Sequence, residues 1–579
     1  MKEEAILPIN SPTSASAGVP KVMFKEKQKN YTWCQRNYLT MKTATRYVAL
    51  VVMLMVISYL SFNYMNMSSI VKLSQDRSEA YNVKILPASL NDEDLDKLAK
   101  DTFSYLAMID AGSSGCRAHV YRYGKLGTIT GPLYVLPKHD SLKVKPGLSS
   151  FANNPQDAGM SLQGLIDFMK EQVPEKDWAV TPIWLKATAG LRMLDTAKSD
   201  AILSSVRSFL LDTNKSPFLF RASWAKIIPG NEEGGFGWIA FNYLKRIIGP
   251  KRHPQSLETP YAVVEMGGAS AQVSQVAPNP AAAAAIPLPY RFTFTIEQDT
   301  YQLYTHSYLG FGAEQAREQL NVALKDQASA GEITSTPTTV KDPCLNNGYT
   351  RSATEPVTEP YQGPGGVAAA GASNAPDASV CALSVRKLFD QIYSGAQATA
   401  AAVANLRSAI AAAATKPPGS SDQAPVCNPE THPAPHSFGC VHQPDFVTAS
   451  SNFLVFENFY YMSSAIAVKP ITSNSSTTTS FPLRTTASHI LEAANQVCTV
   501  DTTALNTYYP VDKQSKDVSL KMCFLGSYSY AFLVDGLRVP KDKVLTIQKE
   551  VGQSEIEWAL GAAYKEAADL LKRTNLRPT

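Results

Sequence analysis

Two stretches of this sequence, far apart along the chain, share one pattern. They lie at 106–123 and 261–276, and each has a hydrophobic β-type run, one carboxylate (Asp110 or Glu265), a turn of Gly, Ser and Ala, and a second β-type run. Glycine lets the backbone approach a ligand closely, and such a turn offers N–H groups and hydroxyls to anionic oxygens. A carboxylate at its mouth can hold a divalent cation through water. Two such turns facing each other predict a clamp for a polyphosphate and its metal.

An uncharged segment at 47–67 predicts a single membrane span. Its 21 residues are enough helix to cross a bilayer core of about 30 Å. The 46 preceding residues argue against a cleaved signal peptide, and the lack of a polar face argues against a buried core helix. Those residues carry eight Lys or Arg and three Asp or Glu, which places them in the cytosol and the rest of the chain outside or in a lumen. We therefore expect a type II protein with a tail at 1–46 and a stem at 68–98.

The patterning after the stem predicts an α/β body. Strand-like and helix-like runs alternate from residue 103 to about residue 324. Between about 326 and 425 the composition shifts to Ala, Ser, Thr, Pro and Gly, which indicates exposed insertions. The net charge of +4 on 579 residues gives no reason to expect a nucleic-acid surface. Nothing in the sequence fixes the oligomeric state.

Cysteine usage agrees with an oxidising compartment. Six of the eight cysteines lie after residue 340, and we expect three disulfides between sequence neighbours: Cys344–Cys381, Cys427–Cys440 and Cys498–Cys523. An alternative to the Cys427–Cys440 disulfide is a zinc site, which is less favoured in a lumen. The residues with ligand-like spacing for it are Cys427, His432, His436 and Cys440. Three sequons lie on the side of the membrane that permits glycosylation: Asn66, Asn214 and Asn474.

The motif KATAGLRML, at 186–194, follows a strand-like run between the two turns. It places the hydroxyl of Thr188 close to Gly190, with Arg192 nearby. That combination suits a contact to phosphate or the closure of a loop over one. The alternative is an ordinary strand-to-helix turn with Arg192 in solvent.

The motif at 227–244 has two adjacent glutamates, Glu232 and Glu233, before a pair of glycines and an apolar helix. A carboxylate aimed into a cleft from such a point can accept a proton from water that attacks phosphorus. Glutamates at a helix N-terminus also commonly offset the helix dipole without any catalytic role. Because this motif stands between two phosphate-type turns, we favour the general base.

Four motifs in this order and spacing, DAGSSGCR, KATAGLR, GNEEGGFGWIAFNYL and EMGGASAQ, resemble the apyrase family of nucleoside triphosphate diphosphohydrolases. The resemblance covers roughly residues 103–565, and the single N-terminal anchor is most similar to the Golgi-type branch. It implies two RNase-H-like lobes of the actin and Hsp70 type, with the nucleotide in the cleft. Lobe one would span 99–228, completed by 540–579, and lobe two 229–539. The Golgi is the favoured location and the cell surface the alternative.

The resemblance also implies a role for each matching residue in the metal-dependent hydrolysis of nucleoside di- or triphosphates. Glu233 matches the general base, and Ser270 matches the serine that positions the attacking water. Asp110 and Glu265 match the carboxylates that hold Ca²⁺ or Mg²⁺ through water. Trp238 matches a structural aromatic. The phosphate-binding positions are Gly112, Ser113, Ser114, Gly115, Thr188, Gly267, Gly268, Ala269 and Gln272.

Several positions leave choices open. Glu265 stands where the family often has Asp, and Cys116 stands where Thr or Ser is usual, although a thiol is a poorer hydrogen-bonding group. His442 and Tyr528 are candidates for stacking on the nucleoside base, with packing in the core or a loop as the alternative reading. The competing functions are a membrane-anchored nucleotide-binding scaffold without catalysis and an exopolyphosphatase-like phosphohydrolase.

Overall fold

The computed structural model describes residues 83–252, 259–329, 340–346, 361–362, 378–389, 437, 441–471, 480–501, 504 and 516–574. The predicted tail, the span at 47–67, the zinc alternative and most of the insertions lie outside the described residues, as do the sequons at Asn66 and Asn474. Among the residues that are described, no helix is long and apolar enough to cross a membrane.

The first of two large sheets is mixed and contains the first predicted turn. Its strands follow the order β1-β3-β2-β6-β7, with β4 and β5 added on β3. Strands β2 and β3 form an antiparallel hairpin, whereas β6 and β7 run parallel to β2. The folded body begins inside the segment expected to be a stem, because β1 pairs with β3. The strands are β1 (Ile85–Leu86), β2 (Ser104–Ala111), β3 (Cys116–Leu126), β4 (Leu133–Val135), β5 (Asp140–Val144), β6 (Ile183–Ala187) and β7 (Ala225–Ile227).

The second large sheet is also mixed and contains the second turn. Its order is β10-β11-β9-β8-β14-β16-β15, and two short ladders, β12–β13 and β17–β18, lie outside it. The strands are β8 (Ala262–Met266), β9 (Ser270–Val276), β10 (Arg291–Ile296), β11 (Asp299–Leu309), β12 (Val340–Lys341), β13 (Tyr361–Gln362), β14 (Phe453–Glu457), β15 (Leu483–Thr485), β16 (Leu545–Ile547), β17 (Glu550–Val551) and β18 (Ser554–Glu555). Mixed sheets with helices confirm the predicted α/β class.

The two sequence repeats fold into the same local structure. Asp110 is the penultimate residue of β2 and pairs with Arg117 across the hairpin, and Glu265 is the penultimate residue of β8 and pairs with Gln272. On its other side each of these strands has a parallel neighbour, β6 in the first sheet and β14 in the second. Each carboxylate therefore stands at the end of a central strand, directly before its glycine-rich turn.

Thirteen α-helices lie in the described parts of the chain, and α5 and α13 position the site. Phe236 of α5 contacts Phe292 of the second sheet, with ring centroids 5.7 Å apart, and Trp558 of α13, at 6.4 Å. The helices are α1 (Asp92–Asp96), α2 (Gln163–Gln172), α3 (Ala189–Arg192), α4 (Thr196–Leu211), α5 (Gly230–Leu244), α6 (Pro280–Ala285), α7 (Ala313–Ser329), α8 (Ala378–Phe389), α9 (Asp445–Ala449), α10 (Asn458–Ala465), α11 (Ala487–Cys498), α12 (Lys516–Ala531) and α13 (Trp558–Thr574).

Two of the three predicted disulfides are confirmed. Cys344 is bonded to Cys381 at the start of α8, and Cys498 at the end of α11 is bonded to Cys523 in α12. The bond between α11 and α12 is buried in the second hydrophobic core, beneath the sheet that contains β8. The third predicted pair, Cys427–Cys440, lies outside the described residues.

Replacing Gly561 with Ala is expected to destabilise the fold, because α5 and α13 approach each other most closely there. A Cβ on Gly561 would stand 2.1 Å from the carbonyl oxygen of Phe236, a backbone atom that cannot rotate away. Overpacking of this kind costs about 1–3 kcal/mol. Gly164 in α2 is the matched control, since an added Cβ there meets nothing within 4 Å and Ala favours a helix by up to about 1 kcal/mol. Urea unfolding of both variants measures the difference in their stability, and equal midpoints for the two variants would contradict the prediction.

Candidate active site

The two glycine-rich turns face each other across one cleft. The cavity between them has a volume of about 140 Å³ and is open to solvent. A Cβ added to Gly268 in the second turn would lie 3.2 Å from the Ser113 hydroxyl of the first, so the turns nearly touch at this point. Twelve of the predicted site residues line the cavity: Asp110, Gly112, Ser113, Ser114, Gly115, Thr188, Glu233, Glu265, Gly267, Gly268, Ala269 and Ser270.

The KATAGLRML motif lies against the first turn. Thr188 lies between the end of β6 and the start of the short helix α3, and it lines the cavity. Gly190 comes so close to the turn that a Cβ would stand 2.8 Å from the Cα of Ser113. The close approach requires glycine at this position. The motif is therefore a strand-to-helix connection that also packs tightly against the first turn.

Four carboxylates, those of Asp110, Glu233, Glu265 and Glu457, converge at the base of the cleft, where they are buried or half-buried. Burial raises the pKa of Asp110, Arg117 opposes that rise and the charges of Glu233 and Glu457 add to it, which together bring the pKa to about 7. Burial, followed by the charges of Glu233, Glu457 and Asp110, also raises the pKa of Glu265 well above its usual range. Isolated buried carboxylates are costly unless they are paired, protonated or bound to a cation. The carboxylates therefore concentrate negative charge in the cleft, and a bound cation would offset that charge.

The donor set at this point suits a hard divalent cation. Oδ1 of Asp110 and Oε2 of Glu265 are buried, and neither has a hydrogen-bond partner among the described residues. Carboxylate oxygens are the ligands that Ca²⁺ and Mg²⁺ prefer. Glu265 is one methylene longer than Asp110, and both residues line the same cavity. These two residues fit the predicted cation.

Glu233 stands in the first turn of α5 and is joined to Arg192 by a buried ion pair. Burial raises the pKa of Glu233, and the charge and hydrogen bond of Arg192 oppose that rise. The same guanidinium lies 3.5 Å from the Ser270 hydroxyl. Gln272 does not line the cavity but donates to that hydroxyl at 2.6 Å. The four side chains form one connected polar group beside the turns.

The sequence had left open whether Arg192 lies in solvent. The structure excludes that reading, since the side chain is only 7% exposed.

Other cavity residues were not predicted at all. Glu457 ends β14 with a φ of 60°, a left-handed conformation that is unusual for Glu and typical of functional sites. The remaining unpredicted residues of the lining are Arg117, Lys143, Ala189, Glu557 and Trp558.

The two candidates for base stacking lie outside the cleft lining. Tyr528 is fully buried; its hydroxyl donates to the Phe311 carbonyl at 2.6 Å and its ring stacks on Phe524. A stacking role for Tyr528 is therefore wrong, because the core surrounds its ring. The His442 ring contacts Tyr290 and Tyr304, with centroids 5.7 and 6.4 Å away.

Two other residues singled out in the sequence are structural. Trp238 is fully buried, as expected for a side chain that supports α5, and its ring contacts Phe294 and Tyr301. Cys116 is a free, buried thiol at the start of β3. Burial raises its pKa to about 12, so it stays protonated and is not a nucleophile at neutral pH.

Comparison with known proteins agrees with this cleft. Residues 96–407 and 421–578 match the GDA1/CD39 (nucleoside phosphatase) family. Probable apyrase 6 of Arabidopsis thaliana is 29% identical over 484 residues, which cover 81% of this chain and 73% of that protein. Guanosine-diphosphatase of Schizosaccharomyces pombe is 28% identical over 473 residues, 80% of this chain and 74% of that protein.

A solved structure shows the same fold. The crystal structure of nucleoside triphosphate hydrolases from Neospora caninum aligns with a TM-score of 0.51 at 14% identity, covering 82% of this chain and 93% of that chain. The family match includes all residues that line the cleft and, apart from β1, every strand of the two large sheets. The resemblance found in the four motifs is thus confirmed, and the chain belongs to the GDA1/CD39 (nucleoside phosphatase) family.

Proposed function

We propose that this chain hydrolyses the terminal phosphoanhydride bond of nucleoside di- and triphosphates and releases inorganic phosphate, ending at the monophosphate. One observation supports this most strongly: two glycine-rich turns face each other beside a buried glutamate and a serine. The relatives named as an apyrase and a guanosine-diphosphatase support a nucleotide as substrate. The proposal includes two RNase-H-like lobes, one around each large sheet.

The turns bind and orient the polyphosphate. Ser113, Gly115 and Gly268 line the cavity, and the proposed donors to phosphate are the backbone N–H groups of the two turns and the Ser113 hydroxyl. Such donors stabilise charge that spreads over the phosphoryl oxygens as the bond to the leaving group breaks. A Ca²⁺ or Mg²⁺ ion held through water by Asp110 and Glu265 would supply further charge stabilisation when bound.

Glu233 is the proposed general base. Water held by the Ser270 hydroxyl attacks phosphorus in line with the leaving oxygen, and Glu233 accepts its proton. Gln272 donates to Ser270 Oγ, so this hydroxyl is free to donate its own hydrogen toward the cleft. The nucleoside diphosphate or monophosphate then leaves, and no residue of the cleft needs to form a phosphoenzyme.

Phosphate release by the purified full-length chain tests the proposal. The substrates are GDP, UDP, ADP, ATP and polyphosphate, each with Ca²⁺, Mg²⁺ or EDTA. We expect metal-dependent release from nucleotides. Binding of nucleotide without release would favour the scaffold, and release mainly from polyphosphate would favour the exopolyphosphatase-like alternative.

Stabilisation by Ca²⁺ is expected to grow as the pH rises. The pKa of Asp110 is raised from 3.8 to about 7, so the metal-free folded chain keeps a proton that the unfolded chain has lost, and its stability falls across this window. A cation bound to ionised Asp110 and Glu265 reverses that loss, by about 2.7 kcal/mol at a hundredfold excess over Kd. Thermal unfolding with Ca²⁺ or EDTA, at about pH 5 and about pH 8, measures the stabilisation by Ca²⁺ at each pH. An equal Ca²⁺ effect at both pH values would contradict the assignment.

We also propose that the chain is anchored by the segment at 47–67, with its folded part in the Golgi lumen. Support comes from the length and flanking charges of that segment and from the resemblance to the single-anchor branch. In that compartment the reaction would remove nucleoside diphosphates left by glycosyl transfer. Protease digestion of sealed microsomes distinguishes the orientations, because a lumenal C-terminus is protected until detergent is added.

A further inference from the structure

Three side chains able to bind metal meet behind the cleft, on elements far apart in sequence. His119 lies on β3, His139 directly precedes β5, and Glu557 directly precedes α13. Their side chains are 1%, 5% and 7% exposed. Nδ1 of His119 lies 3.0 Å from Nε2 of His139 and 3.1 Å from Oε2 of Glu557, and the last two atoms are 3.5 Å apart. We call these residues the His–His–Glu cluster.

The hydrogen bonds around this cluster leave lone pairs directed at its centre. Nδ1 of His139 lies 3.2 Å from the carbonyl oxygen of Pro137, which can only accept, so this nitrogen carries the hydrogen and Nε2 does not. Oε1 of Glu557 is paired with Arg117, whereas its Oε2 is buried without a hydrogen-bond partner in the described structure. Burial lowers the pKa of both histidines, which favours the neutral imidazoles.

Without a cation this arrangement is unfavourable. The acceptor atoms of His139 and Glu557 face each other, and the single proton that His119 can place on Nδ1 cannot pair well with both. An unsatisfied buried acceptor usually costs about 1–3 kcal/mol. A bound cation would satisfy all three ligand atoms at once.

The spacing fits a tetrahedral transition metal. Three ligands at about 2.0–2.2 Å from Zn²⁺ stand about 3.3–3.6 Å apart in a tetrahedron, and the 3.0, 3.1 and 3.5 Å observed here lie within about 0.3 Å of that range. The bond from His139 to Pro137 is of the kind that orients metal-binding histidines. We propose that the His–His–Glu cluster is a binding site for Zn²⁺ or a similar transition metal, separate from the carboxylates that suit Ca²⁺ or Mg²⁺.

This inference does not depend on the proposed hydrolysis. Imidazole ligands select transition metals, and carboxylate and water ligands select Ca²⁺ and Mg²⁺, so the two sites would bind different ions. They are nevertheless neighbours, because Glu557 and its partner Arg117 also line the cleft. Water reaching Glu557 from the cleft can supply the fourth ligand.

Titration of the metal-free full-length chain with Co²⁺, in excess Mg²⁺ to fill the oxygen site, tests the proposal. We expect one equivalent of Co²⁺ to give the visible absorption bands of tetrahedral coordination, and Zn²⁺ to abolish them. Glu557→Gln and His139→Ala are each expected to weaken Zn²⁺ binding by about 100-fold or more, the upper range for lost support of a metal site. His489→Ala is the control, because His489 lies in α11 beside the Lys469 carbonyl.

Two results would overturn the proposal. One is the absence of tetrahedral Co²⁺ bands in the folded wild-type chain. The other is wild-type binding in both variants, and accompanying thiolate charge-transfer bands would then place the metal at Cys427 and Cys440. Unfolding in EDTA shows whether each variant is folded, and His139→Gln replaces His139→Ala if the latter is not.

Discussion

Replacing Glu233 with Gln is expected to lower kcat for nucleotide hydrolysis by about 10²–10⁴-fold, the usual contribution of a general base. The amide keeps the size of the side chain but cannot accept the proton of the attacking water. The turns that bind phosphate are untouched, so we expect KM to change little. Initial rates of phosphate release, with nucleotide binding measured separately, determine both quantities.

Glu232→Gln provides the matched control. Glu232 is the neighbouring residue of α5, pairs with Lys226 at 3.2 Å and does not line the cleft. Removing the charge of Glu232 should leave kcat nearly unchanged if Glu233 acts as the base. Equal losses in both variants would indicate that the negative charge near the helix N-terminus matters only for folding. Full activity of Glu233→Gln would require a different base.

The repeated turns could be found in the sequence because their signal is local. A carboxylate, glycines and two β-type runs within about a dozen residues define a hairpin whose turn can approach an anion, and steric freedom at glycine needs no tertiary context. The sheet order then brings Asp110 and Glu265 to equivalent strand ends. Composition could not have fixed the gap between the turns, which depends on how the two sheets pack.

The residues that sequence reasoning missed depend on long-range packing. Glu557 and His139 are more than 400 positions apart and meet only because α13 packs beside the first sheet. The sequence left Tyr528 open between base stacking and core packing because an aromatic residue suits both, and the structure shows it stacked on Phe524 in the core. Arg192 was noted with its motif, but its partner Glu233 comes from another element.

Removing the charge of Arg192 is expected to lower activity at about pH 7 by about 10²-fold, the lower end of what a general base contributes, because a larger fraction of Glu233 is then protonated. Burial raises the pKa of Glu233 and Arg192 lowers it, so without the guanidinium the pKa rises further. A larger fraction of the base is then protonated at any given pH. The acid limb of the pH dependence of kcat/KM should move to higher pH in Arg192→Met.

Arg192→Lys separates this electrostatic role from a purely structural one. Lysine keeps a positive charge near Glu233 but lacks the planar fork that also reaches toward Ser270 Oγ at 3.5 Å. We expect a smaller loss and a smaller shift of the acid limb than in Arg192→Met. Activity of Arg192→Met should also recover toward the wild-type value as the pH rises and Glu233 ionises. A uniform loss at every pH, with the acid limb unmoved, would show that Arg192 does not set the protonation of Glu233, and that its contribution lies in orienting Ser270 or binding the substrate.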